Sequence, residues 1–238
     1  MNQSITVVTV VYNDKENIER TIQSVLNQTY KDIEYLVVDG KSTDGTLDII
    51  KKYTNQISRI ISETDKGIYD AMNKAIDLAN SEWIIFMNSG DVFTDNNTLT
   101  NVFADNIPEN TSFIYSDFSV DYGSSFRVFN ASFEKGILLH QSVIYKKNLH
   151  YLYGKYLVTK KYIVSDYIFF MMQDSTSVYK TQYNISINQV AGVSAASWCG
   201  YQKICVDYLF NRISILGLIK LLVDRVAKNF IKRTFNIK

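Results

Sequence analysis

Four short apolar runs in the first ninety residues, each stopped by a polar loop that carries an acid, constrain the fold of this chain most. Residues 5–11 (ITVVTVV), 33–38 (IEYLVV), 57–62 (ISRIIS) and 83–87 (WIIFM) are rich in β-branched and aromatic residues and read as strands. Between them, apolar residues recur at helical spacing: Ile18, Ile22, Val25 and Leu26; then Leu47, Ile50 and Tyr53; then Ile68, Met72, Ala75, Ile76 and Ala79. A β-α-β-α-β-α-β order implies a parallel sheet with right-handed crossovers. The strand ends then share one edge, where open α/β sheets take their ligands. That edge receives Asp14, Asp39, Asp65 and Asp91, one acid per strand. Any one of them would serve to cap a helix; four on one edge suggest a site for a polar ligand with a cation. Asn13, with Glu16 three residues on, is expected to cap the first helix.

The second half is less regular. Residues 112–117, 126–130 and 142–145 read as strands, the last just after His140 and Gln141. Residues 164–173 (VSDYIFFMMQ) read as a helix entered at Ser165 and Asp166, 178–180 and 185–190 as a late hairpin, 191–194 as a loop and 200–210 as a helix. Residues 213–235 read as one long helix with Ile215, Leu218, Ile219, Leu222, Val226, Phe230 and Ile231 along one side. Charge is concentrated there: seven bases against one acid make residues 212–238 +6, which leaves −5 for the rest of a chain whose total is +1. A basic helix with an apolar side suits an anionic membrane surface. Nucleic acid is a poorer partner, because the excess is confined to the tail. The first four residues lack the basic start of a signal peptide, and no apolar run is long enough to span a bilayer. Cys199 and Cys205, six apart, fit neither a disulfide framework nor, with two histidines, a zinc site, and point to a reducing compartment. No G-x-G-x-x-G follows the first strand, which argues against a dinucleotide-dependent oxidoreductase.

Several short motifs occur in a telling order: TVVYN at 9–13, VVDGKSTDGT at 37–46, ETDKGIYDAMNKAI at 63–76, NSGD at 88–91, HQ at 140–141, SDY at 165–167 and AGVS at 191–194. Together they resemble the inverting family 2 glycosyltransferases, most closely a bacterial subgroup that builds O-antigen, capsule and exopolysaccharide. The likeness covers most of residues 5–194. It implies an α/β chain of GT-A fold, Rossmann-like, with a mostly parallel central sheet flanked by helices and a C-terminal amphipathic helical extension. The expected division is a glycosyltransferase domain over 1–210, with a nucleotide-sugar half (1–117) and an acceptor half (118–210), then a basic amphipathic helix over 211–238. The resemblance further implies transfer of a hexose-type sugar from a nucleotide sugar, UDP-linked, to a saccharide on a polyprenyl lipid at the cytoplasmic face of the cell membrane.

For the site, the resemblance assigns Asp39 to the nucleotide. Thr9 and Tyr12 would line the same pocket, with the Tyr12 ring stacked on the base. Lys66 and the backbone of Gly67 would meet the diphosphate, and His140 and Gln141 would lie near the diphosphate or the acceptor. Asp91 holds the last position of a D-x-D-like metal motif that here reads Ser89-Gly90-Asp91, its first acid missing. Mg²⁺ or Mn²⁺ binds through one or two carboxylates when phosphate supplies further oxygens, so a divalent cation is expected beside the donor nucleotide sugar. By position alone Asp166 reads first as a helix cap; the family match reverses that, since it corresponds to the family's catalytic carboxylate and would deprotonate the acceptor hydroxyl. The incomplete metal motif leaves a second class open, a non-catalytic nucleotide-sugar-binding or scaffold protein that keeps the fold.

Overall fold

Residues 3–159, 161–190 and 199–235 are described by the computed structural model. The first half follows the apolar runs: β1 (Ile5–Val11), α1 (Ile18–Leu26), β2 (Ile33–Asp39), α2 (Thr46–Lys51), β3 (Arg59–Ser62), α3 (Ile68–Leu78) and β4 (Trp83–Phe86). β1 lies between β2 and β4, parallel to both, and β3 continues the sheet beyond β2. All seven residues of β1 are buried, as expected of a strand covered on both faces.

Side chains alternate between the two faces. Val8, Val10, Ile84 and Phe86 pack under α3 with Met72, Ala75 and Ile76. Val7, Val11, Trp83, Ile85 and Met87 pack on the other face with Ile18, Ile22 and Val25 of α1. The helix start differs from expectation. Asn17, not Asn13, precedes α1, and no side chain caps it. Asn13 is held at φ +49°, where its amide oxygen accepts the Thr43 N–H, so it ties the first loop to the second instead.

The second half adds β5 (Val92–Phe93), α4 (Thr98–Phe103), β6 (Phe113–Tyr115), β7 (Phe118–Asp121), β8 (Phe126–Phe129), β9 (Val143–Lys146), α5 (Leu149–Tyr153), α6 (Ser165–Met171), β10 (Val178–Lys180), β11 (Ser186–Gln189), α7 (Cys199–Leu209) and α8 (Ile215–Phe235). The main sheet is ordered β10-β6-β9-β4-β1-β2-β3, and only β9 runs against its neighbours. A smaller sheet, β5-β11-β7-β8, covers one end. The expected late hairpin does not form: β10 pairs with β6 in the main sheet, while β11 pairs with β5 and β7 in the smaller one. The AGVS motif and the side chain of Ile231 lie outside the described residues.

The two-faced burial sets a stability expectation. Ile85 is fully buried in the centre of the main sheet. Ile85→Ala should lower the unfolding free energy by about 3 kcal/mol in a urea titration; an unchanged midpoint would contradict a two-sided core.

Candidate functional site

Because β1 to β4 are parallel, their C-terminal loops gather at one sheet edge and form one wall of a cleft of about 1220 Å³. Tyr12, Asn13 and Asp14 follow β1, Gly40 and Lys41 follow β2, Asp65 and Gly67 precede α3, and Asn88, Ser89 and Asp91 follow β4. His140 and Gln141, Asp166, Gln189, and Lys203 and Arg225 close the other side.

Two sequence candidates sit elsewhere. Thr9 lies inside β1, fully buried, with its hydroxyl bonded to the Met87 carbonyl and the Tyr35 hydroxyl. It faces the α1 side of the sheet and does not line the cleft. Asp39 is also fully buried at the end of β2, where it accepts the Ser42 N–H and the Ser62 hydroxyl. Its carboxylate organises the second loop and stops short of the cleft. Lys66 is exposed and lines a smaller adjoining pocket. Gly67, at φ +127° with nothing within 4 Å of where a Cβ would sit, leaves the start of α3 open to the cleft.

Tyr12 is two-thirds exposed at the cleft wall, free to stack on a planar ligand. Beside it is a carboxylate for which the sequence suggested only a strand-tip position. Asp65 accepts Lys74 Nζ at 2.6 Å through Oδ1, while Oδ2 faces Gly40, 3.1 Å from where a Cβ there would stand. Burial raises its pKa, with Lys74 opposing. A carboxylate oxygen beside an exposed aromatic face suits a nucleoside better than the buried Asp39 does.

Asp91 is clamped. Its Oδ1 accepts the Gln189 N–H at 3.0 Å and its Oδ2 the Gln141 amide at 2.6 Å. The turn itself is latched to α1, since Thr21 bonds both the Asp91 carbonyl and the Gly90 N–H. Gly90 is at φ +95°, a backbone conformation that favours glycine, and a Cβ there would also push on the end of the Gln189 side chain, 2.8 Å away. Ser89, in the place of the missing acid, donates to Asp14 Oδ2 at 2.7 Å. Burial pushes the Asp91 carboxyl up to about 7, against the two hydrogen bonds and Arg20; Asp14 adds to the rise.

The donor set suits a hard cation. Asn88 Oδ1 is a buried acceptor with no hydrogen-bond partner, three residues before Asp91 on the same turn. Among the described residues no group of three or more acids, histidines or cysteines gathers around one point, so a cation held by Asn88 and Asp91 would take its remaining ligands from substrate or water.

Asp166 does not cap its helix. Val164 precedes α6 without capping it, and the Tyr69 hydroxyl takes the Ser165 N–H there. The Asp166 carboxylate instead accepts the Tyr69 hydroxyl at 2.6 Å through Oδ1 and faces His140 Nδ1 at 3.4 Å through Oδ2. Burial pushes its pKa up, but His140 and Tyr69 outweigh burial and hold it below the usual range. Asp174, by contrast, spends its carboxylate on the Thr176 N–H. On the far wall, Arg225 of α8 packs its guanidinium against Gly200, so closely that an added Cβ would fall 1.8 Å from it. Nothing in the tail's amphipathic pattern pointed to the cleft; the signal was Gly200 itself.

The glycosyl transferase family 2 model matches residues 6–174. A PGL/p-HBAD biosynthesis glycosyltransferase of Mycobacterium bovis (strain BCG / Pasteur 1173P2) is 30% identical over 186 residues, covering 73% of this chain and 72% of that protein. The Escherichia coli UDP-Glc:alpha-D-GlcNAc-diphosphoundecaprenol beta-1,3-glucosyltransferase WfaP is 40% identical over 90 residues, 37% of this chain and 35% of that protein. The crystal structure of S. aureus TarS 1-349 in complex with UDP-GlcNAc superposes with a TM-score of 0.71 at 19% identity, over 99% of this chain and 73% of that one. It shares the fold described above.

The raised Asp91 carboxyl gives a signed pH expectation. The native environment favours the neutral acid, so the stability it contributes is lost as pH rises through about 7. A cation needs the ionised form. Mn²⁺ binding followed by calorimetry with UDP present should weaken by about tenfold per unit as pH falls below that value, and Asp91→Asn should remove the dependence. Equal affinity at acid and neutral pH in the unaltered protein would contradict the assignment.

Proposed function

This chain belongs to glycosyl transferase family 2, and we propose that it inverts the anomeric centre while moving a sugar from a UDP-sugar to a saccharide carried on a polyprenyl diphosphate, in bacterial surface-polysaccharide assembly. The observation that carries this reading is the pair of carboxylates facing one cleft in opposite electrostatic states. Asp166 is held ionised by hydrogen-bond donors, and Asp91 is held near neutrality by burial. Environments that drive two acids apart divide their roles.

Asp166 suits the base. A quarter of its side chain remains exposed to the cleft. It would take the proton from the acceptor hydroxyl as that oxygen forms its bond to the anomeric carbon and the bond to the diphosphate oxygen breaks on the opposite face. Tyr12 and Asp65 suit the nucleoside, and the open start of α3 at Gly67 suits the diphosphate. Asn88 and Asp91 would hold Mn²⁺ or Mg²⁺, and a bound cation supplies Lewis-acid neutralisation of the leaving diphosphate. The names of the E. coli relative and of the TarS complex support the UDP donor, and the former supports the lipid-linked acceptor.

The tail supports work at a membrane surface. Ile215, Leu216, Ile219, Val223, Val226 and Phe230 are each more than half exposed. At about 100° per residue they form one continuous stripe along α8, with Lys220 and Lys228 also on the exposed surface. Leu218 and Leu222, expected on the same side, are half-buried instead. Among the described residues no helix is long and apolar enough to cross a membrane, so the stripe suits an interfacial helix.

Two outcomes test this. Asp166→Asn should cut turnover by about a thousandfold while the UDP-sugar dissociation constant stays within about twofold; donor binding without turnover in the unaltered protein would favour a scaffold instead. Truncation before residue 213, or Ile219→Glu with Val223→Glu, should move the protein from the membrane fraction to the soluble one. Unchanged membrane association would remove the tail from the proposal.

A further inference from the structure

Behind Asp166 runs a buried chain of hydrogen bonds that ends on a main-chain carbonyl. His140 Nδ1 faces Asp166 Oδ2, and His140 Nε2 lies 3.4 Å from the Tyr156 hydroxyl. The Tyr156 and Tyr145 hydroxyls are 2.9 Å apart, and Tyr145 is 2.9 Å from His150 Nε2. His150 Nδ1 is 3.0 Å from the Gly154 carbonyl oxygen. The chain contains two histidines, and both belong to this array. None of His150, Tyr145 or Tyr156 was singled out by the sequence, and none lines the cleft.

The direction of every bond follows from the terminus, because a carbonyl can only accept. His150 Nδ1 therefore carries the hydrogen. Burial lowers the His150 pKa to about 4, so its ring is neutral and Nε2 is a bare acceptor. Tyr145 must donate to it. With its one proton committed, the Tyr145 oxygen accepts from Tyr156, whose proton is committed in turn. The Tyr156 oxygen then accepts, and His140 Nε2 must carry the hydrogen that reaches it. In a neutral His140 this would leave Nδ1 bare, lone pair against the ionised Asp166. The other Asp166 oxygen already takes the proton of Tyr69, whose own oxygen accepts the Ser165 N–H.

We propose that His150, acting through Tyr145 and Tyr156, is a positioning residue that fixes the protonation pattern of His140, so that His140 meets Asp166 as a doubly protonated imidazolium and the two hold one shared proton. This rests on Asp166 being the base. The pair keeps the carboxylate ionised and oriented in a wall built of Phe86, Phe169 and Phe170, which ring His140 and Tyr156. In the reaction the acceptor hydroxyl proton goes to Asp166, and the proton already on His140 stays there. A His140 without that proton would present a lone pair to the base in place of a donor. The titratable groups around the pair are Tyr69 from α3, Tyr145 from β9, His150 from α5 and Tyr156, with Cys199 of α7 feeling the Asp166 charge. Burial holds the tyrosines protonated through neutral pH. Lys155 and Asp77 act on His150 in opposite directions.

The test uses the full chain. In ¹⁵N spectra at pH 7, the unaltered protein should show one neutral imidazole and one protonated on both nitrogens. His150→Phe keeps an aromatic ring stacked on Phe169, as His150 is now at 4.3 Å, and leaves His140 as the sole imidazole. Without the fixed terminus the tyrosines can reverse, and His140 should become neutral, with its hydrogen on Nδ1, at a pH where it was doubly protonated before. Tyr145→Phe breaks the chain at a second point and should act alike. Two neutral imidazoles in the unaltered protein, or a His140 signal unchanged in both variants, would overturn the proposal. The spectra read the proton whatever Asp166 does, whereas a rate unaffected by Asp166→Asn would overturn only the assignment of the base.

Discussion

The parallel pairing of β1 between β2 and β4 is the constraint on which the rest depends. Strands that point the same way cannot be joined by tight turns, so the chain returns through a helix each time. The helices cover both faces, and every residue of β1 is buried in consequence. The consequence for chemistry is geometric. Loops far apart in sequence are delivered to one edge, and α1 then serves that edge as well as the core, since Thr21 latches the turn that carries Asp91.

On that edge the protein sets charges against dry walls. Asp91 and Asp166 are both acids on loops or helix starts, yet their surroundings push them in opposite directions. Asp91 receives two neutral amide donors, which soften the cost of burial without cancelling it. Asp166 receives a phenol and an imidazole, the latter able to carry full charge. Hydrogen bonds to charged partners are the stronger class, and that difference in donor type, more than depth of burial, separates the two groups.

How much of this was legible in the sequence tracks how local each feature is. The first four strands and three helices were readable because every element is defined by its own periodicity. The late hairpin failed because β10 and β11 are short and choose partners far away in the chain, Phe113–Tyr115 and Phe118–Asp121. Among site residues, Asp91, Asp166, Gln141 and His140 meet at the cleft, while Thr9 and Asp39 do not line it. Both are inside strands with their polar atoms spent, Thr9 within a run already read as a strand and Asp39 one residue past another. Asp65 was visible as a strand-tip acid but lacked a role until Gly40 and Tyr12 were seen beside it. Gln189 and Arg225 reach the cleft from distant segments, and no spacing rule could have brought them there.

Gly154 closes α5 at φ +82° and turns its carbonyl toward His150. Side chains along the buried array can be exchanged one at a time by mutation, but that last oxygen belongs to the main chain and is present whatever residue stands there. The array is therefore polarised by something that point mutation cannot delete, only displace. A variant chain that kept this turn together with His150 and the two tyrosines would inherit the direction of the whole proton line with it.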